Sequence, residues 1–426
     1  MSSPAIRETP EQTMRRSVLR RLGIHPPLAW GYLGLLLFMI GDGVESGYLS
    51  PYLTSRGVSQ SNVAMVFTIY GVTAAIAAWL SGALSDLWGP RRVMSIGLGV
   101  WAMFEIAFLL LGVAPTNLPM ILLFYALRGF GYPLFAFGFL VWITAATPQR
   151  SLGTAVGWFW FAFTGGLPTL GSLLASFAIP LIGAYATLWL SLGLVVLGGV
   201  VALLGIRDSA GGNRLAPPGE NPVATLLSSI SIGWREPKTA VGCVVRIINT
   251  APQFGFLVFM PMFFTQTVGF SLTQWLRLLS AMFVSNIIWN LLFGVIGDKL
   301  GWRRTVAICG GVGSAITTLL LYYVPHIMGS NYPLSVLAAI CYGATLAGYV
   351  PLSALMPSLV PEHRGAAMSM LNLGAGASVW AGPAITWLFL PSLGVAGVMW
   401  IFAVLYLVSA GLTLLLKLPG ESAAPV

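Results

Sequence analysis

The chain has 426 residues, of which 57% are hydrophobic and only 8% are charged, and its net charge is +9. A soluble protein usually carries about 25% charged residues, so this composition excludes a soluble enzyme, a nucleic-acid-binding domain and a disordered chain. The apolar residues form unbroken runs, which favour helices over the alternating strands of a β-barrel. We therefore predict an all-α polytopic membrane protein.

Twelve apolar runs are long enough to cross a bilayer whose hydrocarbon core is about 30 Å thick. The predicted spans are 29–53, 62–85, 93–113, 118–143, 153–176, 181–205, 240–264, 273–297, 305–324, 333–356, 367–390 and 394–416. The expected organisation is a basic N-terminal segment (1–28), a six-helix bundle (29–205), a linker (206–239), a second six-helix bundle (240–416) and a tail (417–426).

Basic residues are distributed unevenly between the two sides of the membrane. Seventeen of the 21 Lys and Arg residues fall in segments that would share a side with the N-terminus, whereas the opposite loops hold only Arg56. The positive-inside rule therefore predicts that both termini are cytoplasmic, in a plasma membrane or bacterial inner membrane. The first apolar run is too long for a cleavable signal peptide.

The first span carries two acidic residues. Asp42 lies near the middle of the membrane, and Glu45 lies one helical turn further on the same side of the helix. A charge in hydrocarbon costs roughly 3 kcal/mol on insertion scales, so both residues need an explanation. Two close carboxylates in a low dielectric repel each other, which suits a group that loads and releases a proton. The alternative is a structural pair neutralised by Arg128.

A loop motif after the second span recurs after the eighth. Its pattern is G-x-x-x-D-x-x-G-x-R-R, and every matched position is displaced by 212 residues, about half the chain length. The members are Gly82, Asp86, Gly89, Arg91 and Arg92 in the first copy, and Gly294, Asp298, Gly301, Arg303 and Arg304 in the second. The repeat predicts two pseudo-symmetric six-helix halves, as in a secondary transporter with its site between the halves.

Polar residues in other spans are candidates for the site. Arg128, in the fourth span, is placed to neutralise Asp42 or Glu45, or to donate hydrogen bonds to substrate hydroxyls. Amides in the seventh and eighth spans both donate and accept, which matches a neutral polyhydroxylated substrate; the alternative is hydrogen bonding between helices. The predicted substrate-binding set is Arg128, Tyr132, Asn249, Gln253, Asn286, Asn290, Tyr349, Asn372 and Trp380.

Arg246 shares a face of the seventh span with Asn249 and Gln253 at spacings i, i+3 and i+7. It lies near the cytoplasmic end of the predicted span. Gating or snorkelling to the membrane surface explains it at least as well as contact with substrate.

The repeated loop motif resembles that of the major facilitator superfamily, although Leu87 and Pro90 stand where that family often has basic residues. Residues 128–131 are similar to a further motif of the family. The resemblance covers residues 25–418 and implies the major facilitator fold of twelve helices in two bundles. It also implies that the ten motif residues control the switch between facing states. Because the third helix of each half is peripheral in this family, a pairing role is implied for Glu105.

Residues 38–53 and 128–138 resemble the polyol permease group, the proton-coupled importers of ribitol and arabitol. This narrower resemblance implies a symporter that takes up a small neutral polyol, or a related polyhydroxylated metabolite, by alternating access. Proton coupling is assigned to Asp42 and Glu45 with Arg128 as their partner. Residues 166–171 partly resemble an antiporter motif, which keeps open the alternative of proton-coupled export of a drug or amphipathic metabolite.

Other energy sources and partners are not expected. None of the three lysines follows Gly, so the G-K-[ST] phosphate loop is absent and ATP-driven transport by this chain alone is excluded. The three cysteines show no paired spacing and the three histidines lie outside the apolar runs, so no metal or cofactor is expected. The predicted partners are a small-molecule substrate, a proton and the lipid bilayer, with a monomer as the functional unit.

Overall fold

A computed structural model of the chain describes Leu19 and residues 24–148, 151–208, 210–215, 231–360 and 364–418. Within these ranges the secondary structure is helical throughout, with no strand. The long helices follow the apolar runs of the sequence, since a backbone in hydrocarbon must satisfy its own hydrogen bonds.

Twelve long helices, numbered α1–α12 in chain order, occupy the described ranges. The first ten are α1 (Pro26–Ser55), α2 (Gln60–Trp88), α3 (Pro90–Val113), α4 (Leu118–Ala146), α5 (Thr154–Ile182), α6 (Ala184–Gly205), α7 (Pro237–Thr267), α8 (Leu272–Leu300), α9 (Trp302–Met328) and α10 (Tyr332–Leu359). The segment Arg364–Leu414 contains two helices joined at Gly394, whose φ of 64° and ψ of −173° are not helical. We number these α11 (364–393) and α12 (395–414). The predicted twelve-helix architecture in two bundles is confirmed.

The helix ends repeat between the two halves. Ser59 caps α2 by accepting a hydrogen bond from a backbone N–H three residues on, and Ser271, 212 residues later, caps α8 in the same way. Gly89 and Gly301 end α2 and α8 with nearly identical backbone angles, φ 86° and ψ 139° against φ 89° and ψ 131°. Such angles are accessible almost only to glycine, so the repeated glycines set the same turn in both halves.

Glycines also allow close helix crossings beside the midplane. A Cβ atom on Gly43 of α1 would lie 1.7 Å from the carbonyl oxygen of Leu167 in α5, and one on Gly171 would meet the backbone of Gly43. The matching crossing in the second half brings Gly255 of α7 against Gly382 of α11. These contacts draw α1 and α7 inward, so that both helices face the space between the bundles.

Hydrogen bonds join the two halves on the side of the membrane where α1 and α7 end and α8 begins. Trp275 Nε1 in α8 donates to the Gly47 carbonyl in α1 at 2.8 Å, and the Ser50 hydroxyl in α1 donates to the Val258 carbonyl in α7. Nearer the midplane, the Ser280 hydroxyl donates to the carbonyl of Thr169 at 3.0 Å. These hydrogen bonds therefore hold the two halves together on that side of the membrane.

Candidate functional site

A cavity of about 80 Å³ lies between the two bundles at mid-membrane depth. It is bordered by α1, α2, α4 and α5 of the first half and by α7, α8 and α11 of the second. One water needs about 10–15 Å³ in this kind of volume, so the space holds several waters or a small metabolite. The cavity lies where a secondary transporter binds its cargo, at the interface of the two repeats.

Arg128 sits in a cluster of acidic residues beside this cavity. Its Nη1 donates to Glu105 Oε2 at 2.7 Å, its Nη2 donates to Glu45 Oε1, and Asp42 Oδ1 lies 3.7 Å from Nη2. All four side chains are at most 4% exposed. When fully ionised, three carboxylates and one guanidinium carry a net charge of −2. Because an uncompensated buried charge is costly, a bound proton lowers the energy of this cluster.

The hydrogen bonds around the cluster are incomplete. Trp101 Nε1 donates to Asp42 Oδ1 at 2.7 Å, and the Tyr125 hydroxyl donates to Glu45 Oε1 at 3.2 Å. Oε2 of Glu45 and Oε1 of Glu105 are buried without a hydrogen-bond partner. The cluster therefore contains carboxylate oxygens whose removal from water is not offset by a hydrogen-bond donor.

Aromatic rings surround the guanidinium of Arg128. Its central carbon lies 4.5 Å from the ring centroid of Tyr125, 4.7 Å from that of Trp101 and 5.4 Å from that of Tyr70. The negative faces of these rings stabilise the cation where water is scarce. Arg128 is therefore held as a fixed positive charge by rings as well as by acids.

Three polar groups of the cavity wall are free to bind a ligand. The hydroxyls of Tyr70 and Tyr132 and the amide of Gln253 line the cavity and form no hydrogen bond within the part of the chain that the structure describes. Hydroxyls and amides both donate and accept hydrogen bonds. The three groups together offer a pattern that a hydroxylated molecule can satisfy.

The remaining wall from the second half is apolar. Phe254, Leu257, Phe283, Val379 and Pro383 border the cavity opposite the charged cluster. Apolar residues of the first half, Phe67, Leu167 and Pro168, also border the cavity, so a ligand there meets both hydroxyl or amide groups and C–H surfaces, as a polyol requires.

The structure brings together only some of the predicted site residues. Asp42, Glu45, Arg128, Tyr132 and Gln253 all border the cavity. These residues come from three helices that are distant in sequence, and the carboxylates and Arg128 meet because a charge inside the membrane needs a partner.

The other predicted amides hold helices together. Asn286 Nδ2 donates to the Gly343 carbonyl at 3.1 Å, and Asn290 Nδ2 donates to Asn286 Oδ1 at 3.3 Å, which links α8 to α10. Asn249 is 2% exposed, and its Nδ2 donates to the Leu346 carbonyl at 3.4 Å. The structure therefore places Asn286 and Asn249 in interhelical contacts, the alternative that the sequence left open, whereas Asn290 bonds to Asn286 within α8.

Three further candidates lie away from the cavity. Tyr349 is buried against α9 and α12, where its hydroxyl pairs with that of Ser409. Asn372 and Trp380 are exposed on α11 and do not border the cavity. Aromatic and amide residues at helical spacing also pack against lipid or other helices, so spacing alone does not show whether they border the cavity.

The sequence did not identify three residues of the site as such: Glu105, Tyr70 and Tyr125. Glu105 contacts Arg128 directly, which agrees with a pairing role but places it in the cluster itself. The sequence feature that marks Glu105 is a carboxylate in the middle of a membrane-spanning helix. Tyr70 and Tyr125 carried no signal, because tyrosines in apolar helices mostly pack.

The first loop motif contacts the start of the linker. Arg91 Nη2 donates to the Ile206 carbonyl at 2.7 Å, and its guanidinium lies 5.2 Å from the ring centroid of Trp142. Trp142 Nε1 in turn donates to Asp208 Oδ1 at 2.9 Å. In the second copy, Asp298 Oδ1 accepts from Trp302 Nε1 at 2.8 Å. The two copies therefore share a backbone turn but differ in their contacts.

The fold and the cavity define a multi-pass membrane transporter. The family model of the Major Facilitator Superfamily matches residues 31–274 and 242–426. The chain belongs to this superfamily, which confirms the resemblance seen in its loop motifs.

Curated relatives align with almost the full length of the chain. An alpha-ketoglutarate permease of Bacillus subtilis (strain 168) is 45% identical over 95% of this chain and 93% of its own length. A D-arabinitol transporter of Klebsiella pneumoniae is 37% identical over 94% of this chain and 95% of its own length. The solved D-xylose-proton symporter has a TM-score of 0.70 at 20% identity, covering 92% of this chain and 97% of that one. The chain is thus similar to the polyol transporters that its first and fourth spans resemble.

Proposed function

We propose that this transporter takes up a small polyhydroxylated metabolite of the polyol class together with a proton, by alternating access between its two halves. One observation carries the proposal. A mid-membrane cavity places the carboxylates around Arg128 next to three polar groups that have no partner in the described chain. Such a site combines a group that can bind protons with groups that bind hydroxyls.

The two walls of the cavity support a polyol as cargo. Hydroxyl groups would pair with Tyr70, Tyr132 and Gln253, while the C–H face of the carbon chain would lie against Phe254 and Phe283. The similarity to a D-arabinitol transporter supports this class. The similarity to an alpha-ketoglutarate permease keeps acidic metabolites among the compounds to be tested.

We assign the mobile proton to Asp42 in preference to Glu45. Asp42 lies 3.7 Å from Arg128 and borders the cavity, whereas Glu45 and Glu105 bond to Arg128 directly. The carboxylate with the weakest interaction with Arg128 loses the least electrostatic stabilisation when it is protonated. Arg128 would remain paired with the two glutamates while Asp42 gains and loses its proton.

The rest of the mechanism follows from the family architecture. Both termini would face the cytoplasm of a bacterial cell, with the protein acting as a monomer in the inner membrane and using the proton gradient without a cofactor. The bonds of Gly47 and Ser50 to the second half would then close the outer side, so the described state would face inward. The ten loop-motif residues would govern the return to the outward-facing state.

Proton-coupled export is the competing function, and one observation favours it. The segment Gly165–Leu170 forms a π-helix, and its residues Leu167 and Pro168 border the cavity. This is the segment that partly resembles an antiporter motif. Symport and antiport differ in the direction of the proton relative to the substrate, so they can be separated by experiment.

The test uses purified protein in liposomes with an alkaline interior. Labelled pentitols, hexitols, aldoses and alpha-ketoglutarate are offered outside, one at a time. The proposal expects at least one pentitol to accumulate above its external concentration, and collapse of the pH gradient by a protonophore to stop accumulation. Accumulation only when the vesicle interior is acidic would indicate antiport. Failure of every neutral compound to move would reject the polyol class.

A further inference from the structure

A second arginine inside the membrane lacks the partners that surround the first. Arg246 is half-buried in α7 and forms no ion pair within the described ranges of the chain. Arg128, in the opposite half, is contacted by acidic side chains and aromatic rings. A charge at this depth pairs with another charge or marks the path of a substrate. Since no counter-ion comes from the described protein, Arg246 points to an anionic ligand.

Arg246 does not border the cavity, but it lies on the same face of α7 as two residues that do. Arg246 and Gln253 are seven residues apart, almost two full turns, so they lie on one face of α7 about 10 Å apart. Gln253 and Leu257 on that face border the cavity. The Cβ of Arg246 also packs near Gly374 of α11, a helix that contributes to the same wall.

A hydrogen bond turns the head of Arg246 inward. Its Nη1 donates to Asn249 Oδ1, and Asn249 lies one turn deeper in the helix. The Nδ2 of Asn249 donates to the Leu346 carbonyl, which fixes the amide so that its oxygen faces the arginine. The guanidinium is thus directed to the membrane interior, which argues against snorkelling to the near surface.

Arg246 retains most of its binding capacity. A guanidinium has five N–H donors, and a neutral amide does not compensate its charge. The free donors form a planar fork whose geometry matches a carboxylate. The head lies about one helical turn, or ~5 Å, from the level of Gln253. A five-carbon chain is long enough to place a carboxylate on Arg246 and hydroxyls on Gln253.

We infer that Arg246, positioned by Asn249, is a carboxylate-binding subsite and that the preferred substrate is a polyhydroxylated acid. This inference rests on the proposed function, because it takes the hydroxyl-binding wall of the cavity as given. A neutral polyol occupies that wall and leaves Arg246 without a counter-charge. The matching sugar acid satisfies both ends of the site.

The test compares a pentitol with the pentonate of the same configuration in liposomes. Wild-type protein is expected to take up the pentonate with the lower KM. Arg246→Gln is expected to raise KM for the pentonate about tenfold or more and to leave KM for the pentitol nearly unchanged. Arg246→Lys should lie between the two, since it keeps the charge but loses the fork. Arg235→Gln is the matched control, because Arg235 is exposed outside α7.

A second variant guards against failure of Arg246→Gln to fold. Asn249→Asp keeps the size of the side chain and supplies a permanent counter-ion to Arg246, but it loses the hydrogen bond to the Leu346 carbonyl, so its melting temperature is measured beside its uptake. It is expected to reduce uptake of the pentonate and to spare that of the pentitol. Equal effects of either variant on both compounds would overturn the inference.

The remaining outcomes separate this inference from the proposed function. If the wild type carries the pentitol but not the pentonate, the inference is wrong and the proposed function stands. If pentitol uptake requires chloride in the wild type and not in Arg246→Gln, the anion is inorganic and the inference is again wrong. If neither compound moves, both proposals fail.

Discussion

Arg128 and Glu105 are joined by a 2.7 Å hydrogen bond between two side chains that are at most 1% exposed. Glu105 does not border the cavity, whereas Asp42 and Glu45 do. Arg128 is therefore held by one acid that lies outside the cavity wall and contacted by two acids that line the cavity. Under the proposed function, Glu105 would hold Arg128 in place and the two acids that line the cavity would take part in transport.

Neutralising the proton carrier should uncouple transport. Asp42→Asn is expected to abolish accumulation of substrate against a gradient while preserving exchange of labelled for unlabelled substrate. A proton crossing the membrane potential gains about 2.3 kcal/mol per 100 mV, and this energy reaches the substrate only if a group changes protonation between the two states. Liposome uptake and counterflow measure the two activities separately.

Glu45→Gln serves as the comparison for Asp42→Asn. Because Glu45 bonds directly to Arg128, its loss should weaken binding and slow exchange as well as accumulation. Both acids lie beside the same guanidinium, so each variant needs its own pH profile of uptake. Concentration of substrate by both variants with unchanged pH dependence would show that coupling resides elsewhere, with Glu105 the next residue to test.

Replacing Glu105 should damage the fold more than the coupling. Glu105→Gln weakens one of the two direct charge-assisted hydrogen bonds of Arg128, and such a bond contributes about 1.5–3 kcal/mol in a buried site, although Glu45 and Asp42 still compensate the cation. We expect a clear drop in melting temperature in detergent, with the surviving protein still coupled to protons. Glu236→Gln, in a half-buried residue at the start of α7, provides a control. Normal stability combined with lost coupling in Glu105→Gln would make Glu105 the carrier instead.

Two tyrosine hydroxyls should contribute to substrate affinity. Tyr70→Phe and Tyr132→Phe each remove one free hydroxyl from the cavity and keep the ring. Loss of one hydrogen bond to a neutral ligand costs about 0.5–1.5 kcal/mol, so KM should rise roughly 2- to 13-fold. Tyr349→Phe is the control, since its hydroxyl pairs with Ser409 away from the cavity. If all three variants bind substrate alike, the free hydroxyls do not face it.

The two repeated glycines should respond differently to the same substitution. A Cβ on Gly89 would lie 3.0 Å from the carbonyl oxygens of Gly211 and Asn213, whereas one on Gly301 meets open space. Both positions have a φ that strains any other residue, by about 1–3 kcal/mol. Gly89→Ala should therefore lower the melting temperature more than Gly301→Ala and slow transport more strongly. Equal losses would show that the linker does not brace the first loop.

Sequence reasoning located the charged part of the site because the membrane makes charge rare. Asp42 and Glu45 in the first span and Arg128 in the fourth were identifiable as charges inside the membrane, and their mutual contact follows from the cost of leaving them unpaired. The 212-residue offset likewise predicted the two halves, whose helix ends then proved to share caps and turn angles at Gly89 and Gly301.

The spacing of residues in the sequence could not identify the neutral residues of the site. Asn286 and Gln253 are both amides on helix faces that look alike in the sequence, yet the first donates to the Gly343 carbonyl and only the second borders the cavity. An amide in hydrocarbon is stabilised equally by a neighbouring helix or by a substrate. The choice depends on helix rotation and packing, and these are set by contacts across the whole bundle.

If substrate and proton enter together, the external pH reports their coupling most directly. Liposomes containing the protein are held without a pH gradient in weakly buffered medium, with the membrane potential clamped. We expect that adding the substrate outside raises the external pH, that the rise stops with a protonophore, and that Asp42→Asn abolishes it. Demonstrated uptake with no change in external pH, or with acidification, would show that the protein is not a proton symporter.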